Sequence, residues 1–151
     1  LMKNHNLTVS VAESCTGGML ASRLVNVPGV SKVFDRGFVT YSNEAKLEEL
    51  GINPEVLESF GAVSRENASE MVKCLMARTK TTAGIAITGI AGPEGGTKDK
   101  PAGLVYIAVK LFEEIEIKEV RLVGDRDRVR NVACLNALDI LRKMIINRFQ
   151  K

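Results

Sequence analysis

Three reactive side chains, Ser14, Cys15 and Thr16, stand together directly before a pair of glycines. The apolar run at 7–11 predicts a strand, and the apolar spacing at 19–25 predicts a helix. A strand that turns through glycines into a helix presents hydroxyls and free N–H groups at the positive end of the helix dipole, which favours an anion or a developing oxyanion. The pattern therefore allows a nucleophile here, and it equally allows Ser14 or Thr16 to cap the helix.

Lys46 stands where helix electrostatics disfavour a cation. Asn43 is a candidate cap for a helix predicted over 44–50, which puts Lys46 in the first turn, where a positive charge costs about 0.3–1 kcal/mol. Partial burial beside the dipole would lower the pKa of the lysine, and a neutral lysine can act as a general base. The alternative is a surface lysine that extends to water or pairs with Glu13 or Glu49.

Two arginines, Arg126 and Arg130, lie four residues apart in the first turns of the predicted last helix. This spacing places them on one face, as a phosphate clamp requires. The alternative is a solvated face whose charge Asp125 and Asp127 compensate.

The glycine-rich segment 89–101 has the length at which an unstructured connection is usually functional, and its glycines let the backbone approach a ligand closely. It matches neither the Walker loop nor the GxGxxG fingerprint. Lys98 and Lys100 could meet a phosphate or simply be solvated. Tyr41, at the end of a predicted strand, is either a core residue with its hydroxyl at the rim or a proton-relay partner.

Composition indicates a single domain over residues 1–151, with 45% hydrophobic and 26% charged residues. The net charge of +3 is mild, and aromatic residues make up 5% with no Trp, so stacking platforms for nucleic acid are scarce. We therefore expect a small anionic ligand and no direct contact with nucleic acid. No apolar run reaches transmembrane length, so we expect a cytoplasmic protein that does not bind membranes.

Three cysteines and one histidine limit the available chemistry. Cys15, Cys74 and Cys134 are odd in number and form no CxxC pair, so we expect neither a disulfide framework nor a metal site. His5 precedes the first strand, which argues against a Ser-His or Cys-His couple. A hydrolase built on this chain would need another base.

The order of predicted elements indicates an α/β fold. We expect a mixed, mostly parallel sheet with helices on both faces, a three-layer α/β/α arrangement. Ligands of such sheets bind beyond the carboxyl ends of strands, so the segments 13–18, 41–46 and 88–101 should converge. The residues that we expect to bind substrate are Cys15, Thr16, Gly17, Gly18, Thr88, Gly89, Gly92, Gly96, Arg126 and Arg130.

Several long motifs follow one another along nearly the whole chain: AESCTGG at 12–18, GFVTYSNEAK at 37–46, GAVS at 61–64, TGIAGP at 88–93, GGT at 95–97, KP at 100–101 and GDR at 124–126. In these motifs and their order the chain resembles the CinA C-terminal domain family, the nicotinamide-nucleotide amidases named after competence- and damage-inducible protein A. Larger members carry an N-terminal molybdopterin-binding-like domain. The resemblance therefore implies a stand-alone amidase or an isolated domain.

The resemblance implies hydrolysis of the carboxamide of nicotinamide mononucleotide to nicotinate mononucleotide and ammonia, in pyridine nucleotide salvage. It implies Ser14 as the nucleophile and Lys46 as the base, with Tyr41 nearby. We expect backbone N–H groups of 16–18 to stabilise the oxyanion, and Arg126, Arg130 and the loop 89–96 to hold the phosphate. This chemistry requires no metal and no cofactor.

Two rival hypotheses remain at this stage. Cys15 could replace Ser14 as the nucleophile, since alternation along a strand would let only one of the two face the ligand. Alternatively, the pocket is non-catalytic, binds a nucleotide and acts with a competence or DNA-repair partner. Apolar surface on the long helices favours a homo-oligomer.

Overall fold

One five-stranded sheet forms the centre of the molecule. The computed structural model describes residues 1–150, and the strands are β1 (Val9–Glu13), β2 (Phe34–Val39), β3 (Ala83–Gly89), β4 (Leu104–Leu111) and β5 (Glu114–Arg121). The strand order is β2-β1-β3-β4-β5. β1 pairs in parallel with β2 and β3, whereas β4 pairs antiparallel with β3 and β5. Four of the five strands thus point one way, which confirms the mixed, mostly parallel sheet.

Five helices surround this sheet: α1 (Met19–Val25), α2 (Asn43–Ala45), α3 (Pro54–Phe60), α4 (Arg65–Thr79) and α5 (Arg126–Phe149). A π-helical segment, Lys46–Leu50, continues α2 without a break, and short 3-10 turns occupy Met2–His5 and Val30–Lys32. Side-chain oxygens of Asn53, Ser64 and Asp125 accept the first free N–H groups of α3, α4 and α5. These caps explain why the three helices begin where they do.

The two faces of the sheet bury different side chains. Val9 and Val11 of β1 belong to the core that α5 covers, whereas Ala12 belongs to the core beneath α4. Ala12, Ala86 and Ala108 stand side by side across three strands on that second face. Their small side chains leave room for α4, whose Met71, Val72 and Leu75 fill the layer. The three-layer α/β/α arrangement is therefore confirmed.

The first strand extends further than the sequence pattern predicts. The prediction placed it at 7–11, but pairing continues through Glu13 to Val39 on one side and to Ile87 on the other. Ser14 is consequently the first residue beyond the carboxyl end of β1. Within residues 1–150, no helix has the length and apolar content needed to cross a bilayer.

Candidate active site

The three segments predicted to converge do meet, at the carboxyl ends of β1, β2 and β3. They enclose a cavity of about 250 Å³ that is lined by Ser14, Cys15, Tyr41, Lys46, Ala62, Val63, Thr88, Gly89, Ile90, Ala91, Gly92, Glu94, Gly95 and Arg126. A wider surface groove of about 620 Å³, between Glu114 and the end of α5, contains none of the predicted site residues. The smaller cavity is therefore the candidate site.

Lys46 and Ser14 are in direct contact inside this cavity. Lys46 Nζ lies 3.2 Å from Ser14 Oγ, and the two residues are only 1% and 8% exposed. The same nitrogen lies 2.9, 3.1 and 3.3 Å from the carbonyl oxygens of Thr40, Tyr41 and Ser42. The alternative of a surface lysine paired with an acid is wrong.

Burial lowers the pKa of Lys46, because removal from water disfavours the ammonium form. Within residues 1–150, no carboxylate lies at ion-pairing distance from its amine. A neutral amine can donate to two of the surrounding carbonyls and turn its lone pair to the Ser14 hydroxyl. An ammonium can donate to all three carbonyls, so the same surroundings accommodate both states of a general base.

The local fold places Lys46 at the change from α-helical to π-helical geometry. Ser42 is the N-cap, since its Oγ accepts a hydrogen bond from Ala45 N at 3.0 Å. Asn43 is therefore the first helical residue rather than the cap, and Lys46 is the fourth rather than the third. Single π-helical turns occur frequently at functional sites.

The N-terminus of α1 is occupied by a carboxylate of the same chain. Glu13 is 1% exposed and accepts hydrogen bonds from Gly18 N at 3.1 Å, Leu20 N at 3.0 Å and Ala21 N at 2.8 Å. The N-cap residue is Gly18, which has no side chain, so the alternative that Ser14 or Thr16 caps this helix is wrong. The Glu13 carboxylate is therefore the negative group at the positive end of the α1 dipole.

The two arginines of α5 bind different parts of the site. Arg130 donates from Nε to the carbonyl of Cys15 at 3.1 Å and from Nη2 to that of Thr16 at 3.0 Å, and it does not line the cavity. Arg126 lines the cavity and donates from Nη1 to the carbonyl of Gly92 at 2.9 Å. Only Arg126 is thus placed to meet a ligand.

Tyr41 contributes its backbone and its side chain to different contacts. Its carbonyl accepts a hydrogen bond from Lys46, while its phenol oxygen accepts one from Arg126 Nη2 at 3.0 Å. The residue is 60% exposed at the cavity rim. The phenol therefore contacts the arginine that lines the cavity.

The glycines and threonines expected at the site fall into two groups. Thr88, Gly89 and Gly92 line the cavity, whereas Thr16, Gly17, Gly18 and Gly96 do not. A Cβ on Gly96 would lie 2.6 Å from the backbone nitrogen of Ala102, so this glycine permits a close approach of two backbone segments. The N–H groups of Gly17 and Gly18, expected to stabilise an oxyanion, already donate to Ser14 O and to Glu13.

Comparison with known proteins agrees with the motifs. Residues 1–145 match the family described as the CinA C-terminal domain.

The chain belongs to the CinA C-terminal domain family.

Relatives of this CinA domain include a "putative competence-damage inducible protein" of Acetivibrio thermocellus, 51% identical over 97% of the chain and 35% of that protein, and a "CinA-like protein" of Dictyoglomus thermophilum, 50% identical over 97% and 36%. The chain thus spans about a third of the length of these curated relatives.

Crystal structures of similar proteins share the fold. A competence/damage inducible protein of Agrobacterium tumefaciens is 42% identical with a TM-score of 0.92, covering 94% of this chain and 87% of that one. A CinA superfamily protein of Klebsiella pneumoniae 700603 is 34% identical with a TM-score of 0.93, covering 97% and 91%.

Sequence reasoning missed part of the cavity wall in this CinA domain. Ala62 and Val63 line the cavity, and the Ala62 carbonyl accepts hydrogen bonds from Thr88 Oγ1 at 2.7 Å and from Asn67 Nδ2 at 2.6 Å. The GAVS motif at 61–64 was the available signal for this wall. Glu94 was also missed. It places an acidic side chain on the cavity wall, which the basic residues Lys46 and Arg126 also line.

The remaining candidates are placed as follows. Burial raises the pKa of Cys15 to about 11, so its thiolate form is disfavoured at neutral pH. Ser14 and Cys15 both contribute to the cavity lining, and Cys15 also belongs to the buried core that α5 covers. Lys100 donates to the carbonyl of Phe60 at 2.7 Å, and Lys98 is exposed.

Within residues 1–150, no three His, Cys, Asp or Glu side chains are grouped to hold a metal ion.

Proposed function

We propose that this protein hydrolyses the carboxamide of nicotinamide mononucleotide, with Ser14 as nucleophile and Lys46 as general base. The observation that carries the proposal is the 3.2 Å contact between Ser14 Oγ and Lys46 Nζ. The amine is buried and its pKa is lowered, which favours the neutral form that a base requires. A serine beside such a base is an activated nucleophile.

The reaction proceeds in two halves. Lys46 takes the proton of Ser14 as Oγ attacks the carboxamide carbon, and the resulting oxyanion is stabilised by backbone N–H groups. The C–N bond then breaks, and the Lys46 ammonium gives its proton to the leaving nitrogen, which departs as ammonia. Water attacks the acyl ester, Lys46 takes its proton and returns it to Ser14, and the carboxylic acid product leaves.

The charges of the cavity support this substrate class. Nicotinamide mononucleotide carries a cationic ring and an anionic phosphate, and the cavity has both Glu94 and Arg126 on its wall. Small residues, among them Ala62, Gly89 and Ala91, leave space for a flat ring. The sequence motifs resemble those of nicotinamide-nucleotide amidases, which favours this amide over others of similar size.

Arg126 is the proposed phosphate ligand. Its guanidinium is held by the carbonyl of Gly92 and by the phenol of Tyr41, and its residue is exposed at the cavity rim. A planar guanidinium recognises phosphate with paired N–H groups. Tyr41 then acts through Arg126, as a residue that orients the phosphate ligand.

The test measures ammonia released from nicotinamide mononucleotide without added metal. Wild type should turn over, whereas folded Ser14→Ala and Lys46→Ala should not; Cys15→Ala should keep most of the activity. Ser59→Ala and Lys73→Ala, which alter exposed side chains on α3 and α4, serve as matched controls. A folded wild type that binds the nucleotide without releasing ammonia would contradict the proposal and favour a binding module.

A further inference from the structure

The backbone N–H groups of the turn after β1 can be accounted for almost completely. From residue 14 to residue 22, seven of the nine donate to oxygen atoms of the protein. Ser14 N donates to Ile87 O, Gly17 N to Ser14 O, Met19 N to Thr16 O and Ser22 N to Gly18 O, and Glu13 accepts from Gly18, Leu20 and Ala21.

The two that remain are consecutive. Within residues 1–150, no oxygen atom accepts a hydrogen bond from the N–H groups of Cys15 and Thr16, although both residues are buried. Buried backbone N–H groups without such a partner are rare in native structures, because each loses its hydrogen bond to water. Of the two, the N–H of Cys15 directly follows the proposed nucleophile and belongs to a residue that lines the cavity, so it is placed to donate to an oxygen atom of a ligand.

Peptide geometry explains the direction of these two donors. The C=O and N–H of a trans peptide point in opposite directions. The Ser14 carbonyl turns inward to accept from Gly17 N, which directs the N–H of Cys15 out of the turn. The Cys15 carbonyl accepts from Arg130 Nε, which directs the N–H of Thr16 away from Arg130. Cys15 lines the cavity, whereas Thr16 and Arg130 do not.

We propose that Arg130 is a positioning residue that holds the N–H group of Cys15 as the oxyanion donor of the reaction. Its guanidinium fixes the carbonyls of Cys15 and Thr16, and Glu13 fixes the N–H groups of the residues that follow. The turn is thus held from two sides, and the donor needs no rearrangement when charge develops. The proposal rests on the proposed amide hydrolysis by Ser14.

This role differs from that of a phosphate ligand in a way that can be measured. An arginine that binds phosphate affects KM, and only for a substrate that has a phosphate. An arginine that positions the oxyanion donor affects kcat, with or without the phosphate. Nicotinamide mononucleotide and the corresponding nucleoside, which lacks the phosphate, separate the two.

A second readout does not depend on the amide substrate. A small alkyl fluorophosphonate reacts with an activated serine: the Ser14 Oγ–P bond forms, the P–F bond breaks, fluoride leaves with the electron pair and Lys46 takes the hydroxyl proton. The phosphoryl oxygen gains negative charge in this step and requires the same donor. The rate of adduct formation on Ser14 is followed by mass spectrometry.

The experiment compares wild type, Arg130→Met, Arg130→Lys and Arg128→Met. Arg128 is an exposed arginine of the same helix that also donates to a backbone carbonyl, that of Val123, outside the site. We expect Arg130→Met to lower kcat for both substrates and the phosphonylation rate by about 100-fold, as misplacement of catalytic donors does. Arg130→Lys should recover part of each rate, and Arg128→Met should stay within about twofold of wild type.

Two results would overturn the proposal. One is a loss confined to KM for the phosphate-bearing substrate, with normal phosphonylation, which would make Arg130 a phosphate ligand. The other is an unchanged kcat and phosphonylation rate in a folded Arg130→Met, or in Arg130→Lys if the Met variant does not fold. A wild type that is phosphonylated on Ser14 without hydrolysing either amide would refute the proposed substrate but still measure the role of Arg130. A wild type inert to both reagents would refute both proposals.

Discussion

Two helix starts stand beside each other at the carboxyl ends of neighbouring strands, and they use charge in opposite ways. At α1, a buried carboxylate of Glu13 satisfies three N–H groups at the positive end of the helix. At α2, the buried amine of Lys46 sits in the early turns, where the dipole disfavours a cation. The first arrangement fixes the backbone around Ser14. The second removes an amine from water and so lowers its pKa.

The largest expected effect separates activity from stability at Lys46. Lys46→Met removes the proposed base, and we expect amide hydrolysis to fall by about 10²- to 10⁴-fold, the usual contribution of a general base. The free energy of unfolding should be unchanged or higher, because burial penalises the ammonium form. Steady-state ammonia release measures the rate of hydrolysis, and urea denaturation measures the free energy of unfolding. A large loss of stability would mean that the amine is a structural anchor.

Glu13→Gln should show the opposite behaviour. The amide keeps the shape of the side chain but loses the charge that accepts three N–H bonds, and a hydrogen bond to a charged group contributes about 1.5–3 kcal/mol. We expect the free energy of unfolding to fall by about 2 kcal/mol in urea denaturation. Glu55→Gln on α3, which changes an exposed acid in a helix first turn, is the control. Equal free energies of unfolding for Glu13→Gln and Glu55→Gln would contradict the claim that the Glu13 charge holds the start of α1.

Ser42→Ala tests how firmly α2 is held. The variant loses the hydroxyl that accepts Ala45 N, and loss of an N-cap costs about 1 kcal/mol. It keeps the backbone carbonyl near Lys46 Nζ, so kcat should fall only a few-fold. Thermal unfolding and ammonia release measure these effects. If Ser42→Ala loses as much activity as Lys46→Met, the Ser42 hydroxyl takes part in catalysis together with Ser14 and Lys46.

Tyr41→Phe has the smallest expected effect. It removes the phenol oxygen that accepts from Arg126, while the carbonyl near Lys46 remains. We expect a two- to fivefold rise in KM for the mononucleotide, at about 0.5–1 kcal/mol for a hydrogen bond between two exposed residues, with kcat nearly unchanged. A kcat loss of 100-fold or more would instead assign the phenol to proton transfer.

Local signals predicted much of this molecule. The helix at 19–25 has the predicted bounds. The convergence of three strand ends followed from the α/β order of elements. Lys46 stood out because it breaks a local electrostatic preference.

The remaining features depend on contacts between distant segments. Arg126 and Arg130 look equivalent in sequence, yet one lines the cavity and the other holds carbonyls more than 100 residues earlier in the chain. Asn67 supports the cavity wall through Ala62, a contact that helical spacing does not reveal. Glu13 reaches forward to α1 from the end of a strand that was predicted to stop two residues earlier.

The most direct test of the central claim is an NMR titration of the Lys46 side chain in wild type, compared with the ordinary pKa of a lysine side chain. The base must be neutral, so activity is lost as pH falls through the folded-state pKa, and that pKa must lie below that of an ordinary lysine. We predict that Lys46 titrates clearly below the ordinary range of a lysine side chain. If Lys46 titrates within that range, it is an ammonium at neutral pH and cannot be the base that activates Ser14.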